Sequence, residues 1–206
     1  MSKNRIKWVD VLKFLGIFAI YLGHYGDKAG SFYLFVFEYH IPLFFFVAGF
    51  FTKYDKAETI FQYIKKKFKE IMVPYLVFSV IYLIILIISN NNSNLEIRTC
   101  ILDILTGIRN HSFVGSLWFL PCLFCMLSIT KIVSIIFKNN KIYYLLLSLL
   151  FIIVTYFIFP QFKIEIPSMI WNIDSTMYYY IYFALGMVLY PYINSFNFNR
   201  ISITKK

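Results

Sequence analysis

Lys13 and His24 lie eleven residues apart in the first apolar segment of the chain, which runs from Trp8 to Tyr25. At about 100° per residue, eleven steps place both side chains on one helix face, about 16 Å apart along the axis. An imidazole can accept a proton from a hydroxyl group near neutral pH, and an ammonium can stabilise negative charge. The spacing therefore predicts a pair that acts at opposite ends of one ligand lying across a membrane.

Three further ionisable side chains lie in apolar segments: Asp10, Glu38 and His40. Ionisable groups inside a membrane usually face a cavity or one another, and they mark a functional pathway. A structural role is the alternative for three of the ionisable residues. Asp10 and Lys13 are i, i+3 neighbours that could neutralise each other, and Lys13 could extend to the nearby interface. His24 could equally be an interfacial histidine.

Glu38 and His40 belong to a second apolar segment, where Ile41-Pro42 follows the histidine. The proline predicts a helix break with freed carbonyl groups, which a membrane tolerates where the break lines protein or water. Glu38 and His40 are about 200° apart around a regular helix, so they cannot share one narrow site. We expect one of them to make a structural contact.

The composition predicts an all-α, polytopic membrane helix bundle. The 206 residues are 60% hydrophobic and 21% aromatic, with a mean hydropathy of +0.68, outside the range of soluble domains. A helix needs about 20 apolar residues to cross the hydrocarbon core. Six segments qualify within a single domain of residues 1–206: 8–25, 31–51, 71–89, 114–137, 142–159 and 176–194.

The distribution of basic residues predicts the orientation of these helices. Lys and Arg concentrate in short cytoplasmic loops. With both termini in the cytoplasm, the outside holds only Lys28, Arg98, Arg109 and Lys163 of the 20 Lys and Arg residues. The net charge of +10 then reflects topology and anionic lipid headgroups, and it does not require nucleic acid. Residues 55–70 are predicted to form an amphipathic helix on the cytoplasmic leaflet.

Other site classes have little support. The three cysteines do not form a disulfide framework, and no Cys/His/Asp cluster has zinc spacing, so no metal site is expected. There is no nucleophile elbow and no phosphate-binding loop, which removes the support for soluble hydrolase or nucleotide chemistry.

Four segments in order resemble the acyltransferase-3 family of membrane O-acyltransferases. They are Lys13-x10-His24, Tyr39 to Gly49 (YHIPLFFFVAG), the lysine-rich run 65–69 before Val73-Pro74-Tyr75, and Ser116 to Pro121 (SLWFLP). Each segment alone is a weak signal, whereas the ordered set is specific.

The resemblance implies transfer of an acyl group, commonly acetyl, from a cytoplasmic donor such as acetyl-CoA to a hydroxyl of an envelope glycan or lipid-linked sugar. It makes His24 the catalytic base and Lys13 its essential basic partner, with Asp10, Glu38, His40 and Trp118 in support. The family's donor-binding arginines correspond approximately to Lys65 and Lys69, which keep the charge and lose the planar fork. No resident cofactor is expected, because acyl-CoA is a substrate. The expected location is the plasma membrane of a bacterium.

Family members usually continue to about ten membrane helices, so the chain is expected to hold the N-terminal part of the domain. A shortened reading frame and a short relative completed by a second chain both remain open. The alternative functions are an inactive fragment and a non-enzymatic protein, either a small transporter or an accessory subunit. In the non-enzymatic case Asp10, Lys13, Glu38 and His40 would form a polar path.

Overall fold

The computed structural model describes residues 6–54, 57–89, 96–109, 115–158 and 169–195. All regular structure within these ranges is helical. Eight α-helices occur in it: α1 Lys7–His24, α2 Phe32–Phe50, α3 Ile60–Lys67, α4 Val73–Ser89, α5 Ile97–Thr106, α6 Phe119–Ile136, α7 Lys141–Ile153 and α8 Ile173–Ser195. Short 3-10 turns cover Gly26–Ala29, Gly115–Trp118 and Ile170–Asn172, and π-helical turns cover Phe68–Met72 and Val154–Ile158.

Two helices in the described ranges are long and apolar enough to cross a membrane by length and composition: Ile60–Ser89 and Phe119–Ile136. Tyr39–Phe50 and Lys141–Phe157 are apolar but shorter. α1 has sufficient length, but Lys7, Asp10 and Lys13 lie in its first two turns. The all-helical class is therefore observed, and the six spans with cytoplasmic termini stay a prediction.

The amphipathic segment and the third predicted span form one continuous helix from Ile60 to Ser89. It begins with a capping box in which Thr59 and Gln62 exchange side-chain and backbone hydrogen bonds. The π-helical turn Phe68–Met72 precedes Pro74. Such a turn admits an extra residue and relieves the clash that a proline ring causes within a regular helix. This explains why Pro74 does not begin a new helix.

The chain forms two compact units, one of residues 1–52 with 181–206 and the other of residues 53–180. In the first unit, Val9, Val47 and Phe50 form a buried cluster, with Tyr190 and Trp8 packed against it. α2 and α8 approach closely at Gly49 and Gly186. A methyl group on Gly49 would overlap the Phe183 carbonyl oxygen, and one on Gly186 would overlap that of Phe46. Small residues allow such close backbone contact between two helices.

In the second unit, side chains bond to the ends of helices. The hydroxyl of Tyr75 in α4 donates to the Ile104 carbonyl near the end of α5 at 2.7 Å. The end of α5 is capped by Gly107, whose left-handed conformation (φ 62°) suits glycine. Trp171 donates from its indole nitrogen to the Leu105 carbonyl at 3.0 Å. These bonds fix the loop that follows α5.

Candidate active site

α1 positions Lys13 and His24. Its buried stripe consists of Val9, Gly16, Ala19 and Gly23, and the ring of Phe44 in α2 packs so closely on Gly16 that an added methyl would lie 2.8 Å from it. Lys13 and His24 lie outside this stripe, and both side chains are exposed. The Lys13 ammonium is 5.2 Å from the centre of the Phe51 ring, within cation–π range. One regular helix thus presents a cation and an imidazole on its accessible side.

The supporting residues of the first unit differ in their settings. Asp10 lies one turn before Lys13 and is half-buried. His40 is 8% exposed, and its Nδ1 donates to the Val36 carbonyl one turn earlier, at 2.6 Å. The side chain of Glu38 lies outside the described residues. This hydrogen bond joins the His40 ring to the backbone of its own helix, α2.

α2 does not break at Pro42, contrary to the sequence prediction. The helix runs without interruption from Phe32 to Phe50. A proline removes one backbone donor, and membrane helices tolerate this loss where neighbouring groups satisfy the freed carbonyl. His40 therefore belongs to a continuous helix and does not mark an unwound segment.

The predicted donor-binding lysines lie in the second unit. Lys65 is on α3, Lys69 is on the following π-helical turn, and both are exposed. Their neighbours are engaged: Lys67 bonds to Glu70 at 2.6 Å, and Lys66 lies 4.0 Å from Glu58. Neither Lys65 nor Lys69 takes part in an ion pair within the described residues. Within the lysine-rich run 65–69, Lys65 and Lys69 are thus the lysines without an ion pair to a described residue, and their role in donor binding stays a prediction.

Trp118 ends the 3-10 turn before α6, and it contacts a cation that the sequence did not select. The Arg109 guanidinium lies 4.6 Å from the centre of the Trp118 ring, and the ring of Tyr179 lies 6.2 Å from that of Trp118. The sequence assigned Arg109 only to the outer loop. No periodic pattern connects residues 109, 118 and 179. The cluster could therefore be found only from the structure.

Lys131 is the second residue whose surroundings the sequence did not indicate. It was counted among the basic residues of the cytoplasmic side, and its side chain is only 1% exposed. Its ammonium lies 5.8 Å from the ring centre of Tyr54 and 5.5 Å from that of Tyr63. The sequence feature that could have indicated this burial is a lysine between Thr130 and Ile132, within an otherwise uncharged helix.

The structure brings the predicted residues together in two groups. Asp10, Lys13, His24 and His40 belong to the first unit, whereas Lys65, Lys69 and Trp118 belong to the second. Within the described ranges, no three His, Cys, Asp or Glu residues are grouped so that they could hold a metal ion.

One comparison with known proteins gives a match. A family model described as an acyltransferase domain, of the acyltransferase-3 type, matches residues 6–204. The match extends over nearly the whole chain, including both units, and it confirms the resemblance found in the four sequence segments. Searches of curated proteins and of solved structures give no match.

Proposed function

We propose that this chain, which belongs to the acyltransferase-3 family, transfers an acetyl group from cytoplasmic acetyl-CoA to a hydroxyl of an envelope glycan or lipid-linked sugar. Family membership supports a membrane acyltransferase in general terms, in keeping with the two membrane-capable helices. The acetyl group, the CoA donor, the sugar and the plasma membrane of a bacterium are the proposal. The observation that carries it is the exposure of both Lys13 and His24 on one regular helix.

His24 acts as the general base in this proposal. Its imidazole accepts the proton of the acceptor hydroxyl, whose oxygen attacks the carbonyl carbon of the thioester. A C–O bond forms as the C–S bond breaks, and the coenzyme sulfur leaves with the proton that the imidazolium returns. The products are the acetylated sugar and free CoA. His24 is therefore needed twice, first to accept a proton and then to donate it.

Lys13 stabilises negative charge on the donor, and Asp10 supports Lys13 from one turn away. Lys65 and Lys69 attract the coenzyme phosphates. A lysine near the membrane surface contributes about 1 kcal/mol toward an anion there. A lysine ammonium is a point charge without the bidentate geometry of a guanidinium. The two lysines therefore attract the coenzyme phosphates but do little to orient them.

Substitution of His24 tests the proposal. Purified protein in lipid nanodiscs is supplied with labelled acetyl-CoA and envelope glycan, and incorporation of label into the glycan is measured. His24→Ala should lower incorporation by at least about 100-fold, because general-base catalysis commonly contributes that much. Tyr21→Phe is the matched control, since Tyr21 is exposed on the same helix and is given no role. Wild-type incorporation by His24→Ala would overturn the assignment.

A further inference from the structure

The guanidinium of Arg109 is held by an aromatic cluster in the second unit. It lies over the ring of Trp118 at 4.6 Å from the ring centre, and it also approaches the phenol of Tyr179. A guanidinium that stacks on an indole keeps its N–H groups in the plane of the stack, where they point outward. The Arg109–Trp118–Tyr179 cluster therefore combines a cation with aromatic rings in one place.

The backbone that leads to Arg109 is held by the side chain of Asn172. Its N–H donates to the Asn172 side-chain oxygen at 2.8 Å, and the Asn172 amide donates to the Gly107 carbonyl at 2.5 Å. Trp171 and Asn172 both have left-handed backbone conformations, with φ of 54° and 55°. Two consecutive non-glycine residues in that region are strained, and such strain persists where the surroundings impose it.

One donor of Arg109 lacks a partner within the part of the chain that the structure describes. Its Nε is buried and has no hydrogen-bond acceptor among those residues. An unsatisfied buried donor is unfavourable, and more so when the group is charged. The fold thus leaves part of the hydrogen-bonding capacity of this cation unused, as expected of a site for an acceptor-rich ligand.

We infer that the Arg109–Trp118–Tyr179 cluster binds the oxyanion of a charged sugar, such as a sugar phosphate or a uronic acid. A guanidinium matches the two oxygens of a phosphate or carboxylate through parallel hydrogen bonds. Trp118 is half-buried, so accessible aromatic surface borders the cation and can pack on the C–H face of a sugar ring. By the predicted topology, Arg109 faces the outside, where envelope sugars occur.

Binding of glucose 1-phosphate to the full chain tests this inference without any acyl donor. The protein is placed in phosphatidylcholine nanodiscs, and titration is followed by calorimetry. Saturable binding is expected for glucose 1-phosphate and glucuronate, with at least tenfold weaker binding of glucose. Arg109→Gln should weaken binding of the anionic sugars at least tenfold. Arg98→Gln is the matched control, because Arg98 is an exposed arginine of the same predicted outer loop, and its affinity should equal that of the wild type.

Three outcomes would overturn the inference: equal affinities for glucose and glucose 1-phosphate, unchanged affinity in Arg109→Gln, or a requirement for phosphatidylglycerol, which would indicate a lipid headgroup site. Arg109→Lys is measured alongside, in case Arg109→Gln fails to fold. The lysine keeps the charge and loses the fork, so it should also bind more weakly. The result is independent of the proposed acyl transfer, since a protein inactive in transfer can still bind the sugar.

Discussion

Lys131 places a cationic side chain in the interior of the second unit, within cation–π range of the rings of Tyr54 and Tyr63. The faces of both rings attract an ammonium, by roughly 0.5–2 kcal/mol each depending on desolvation. Burial raises the pKa of the Tyr54 phenol well above its usual range, so this ring stays neutral at physiological pH. The Tyr54 hydroxyl donates to the Leu127 carbonyl at 3.4 Å, which connects the loop before α3 to α6.

Charge reversal at Lys131 should therefore be strongly destabilising. Lys131→Glu sets a carboxylate against two ring faces in a buried site, and an uncompensated buried charge costs about 3–5 kcal/mol. Thermal unfolding in detergent, followed by size-exclusion chromatography of heated samples, should show a clear fall in the midpoint. Lys141→Glu is the control, because Lys141 is exposed in the first turn of α7. A midpoint equal to that of wild type in Lys131→Glu would refute the interior placement.

Residue types and spacing selected Lys13 and His24, and the family resemblance added Lys65 and Lys69, before any fold was known; the roles of all four stay predictions. The contacts of Lys131 and Arg109 could not be found in this way, for a common reason. Charge counting assigns every lysine or arginine to a loop or an interface, and it cannot detect that aromatic rings distant in sequence surround a particular cation. The partners of Arg109 are 9 and 70 residues further along the chain.

At the scale of elements, the contact between α2 and α8 offers a test in which two physical effects oppose each other. Alanine favours a helix over glycine by about 1 kcal/mol, so Gly186→Ala should stabilise α8 if propensity alone decided. The added methyl would instead overlap the Phe46 carbonyl oxygen, a backbone atom that cannot rotate away. Overpacking costs about 1–3 kcal/mol, so we expect a net loss of stability.

Gly16→Ala provides the matched comparison, measured by the same thermal unfolding assay. Its methyl meets only the tip of the Phe44 ring, which can turn aside. Gly186→Ala should therefore unfold at a lower temperature than both the wild type and Gly16→Ala. Unfolding of Gly186→Ala at or above the wild-type midpoint would contradict the close approach of the two helices.

Helical periodicity was sufficient to indicate the presence of helices, but it did not predict how they join. The sequence suggested an amphipathic helix followed by a separate span beginning near Pro74. The structure has one helix from Ile60 to Ser89, because the π-helical turn Phe68–Met72 accommodates the proline. Pro42 was likewise expected to break α2 and does not. The sequence treated Pro42 as a helix break and placed Pro74 in the first turns of a new helix, whereas local adjustment of a long apolar helix can accommodate a proline within it.

The whole molecule raises the question of how many helices cross the membrane. Six spans follow from apolar length and the distribution of charge, whereas two described helices, Ile60–Ser89 and Phe119–Ile136, satisfy length and composition together. The two possibilities differ in the position of Lys28, which lies in the exposed turn after α1. With six spans, Lys28 is outside and Lys65 is in the cytoplasm. With two spans, both residues are on the same side.

Cysteine labelling in intact cells distinguishes these arrangements. Single cysteines replace Lys28, Lys65, Arg98 or Lys141, all exposed, in a background where Cys100, Cys122 and Cys125 are changed to alanine. A membrane-impermeant maleimide should label Lys28→Cys and Arg98→Cys from outside, and Lys65→Cys and Lys141→Cys only after permeabilisation, because basic loops are retained in the cytoplasm. If Lys28→Cys and Lys65→Cys label under the same condition while Arg98→Cys differs, two spans would replace six. His24 would then lie on the same side as the donor-binding lysines, and the proposed reaction would lose its outward acceptor.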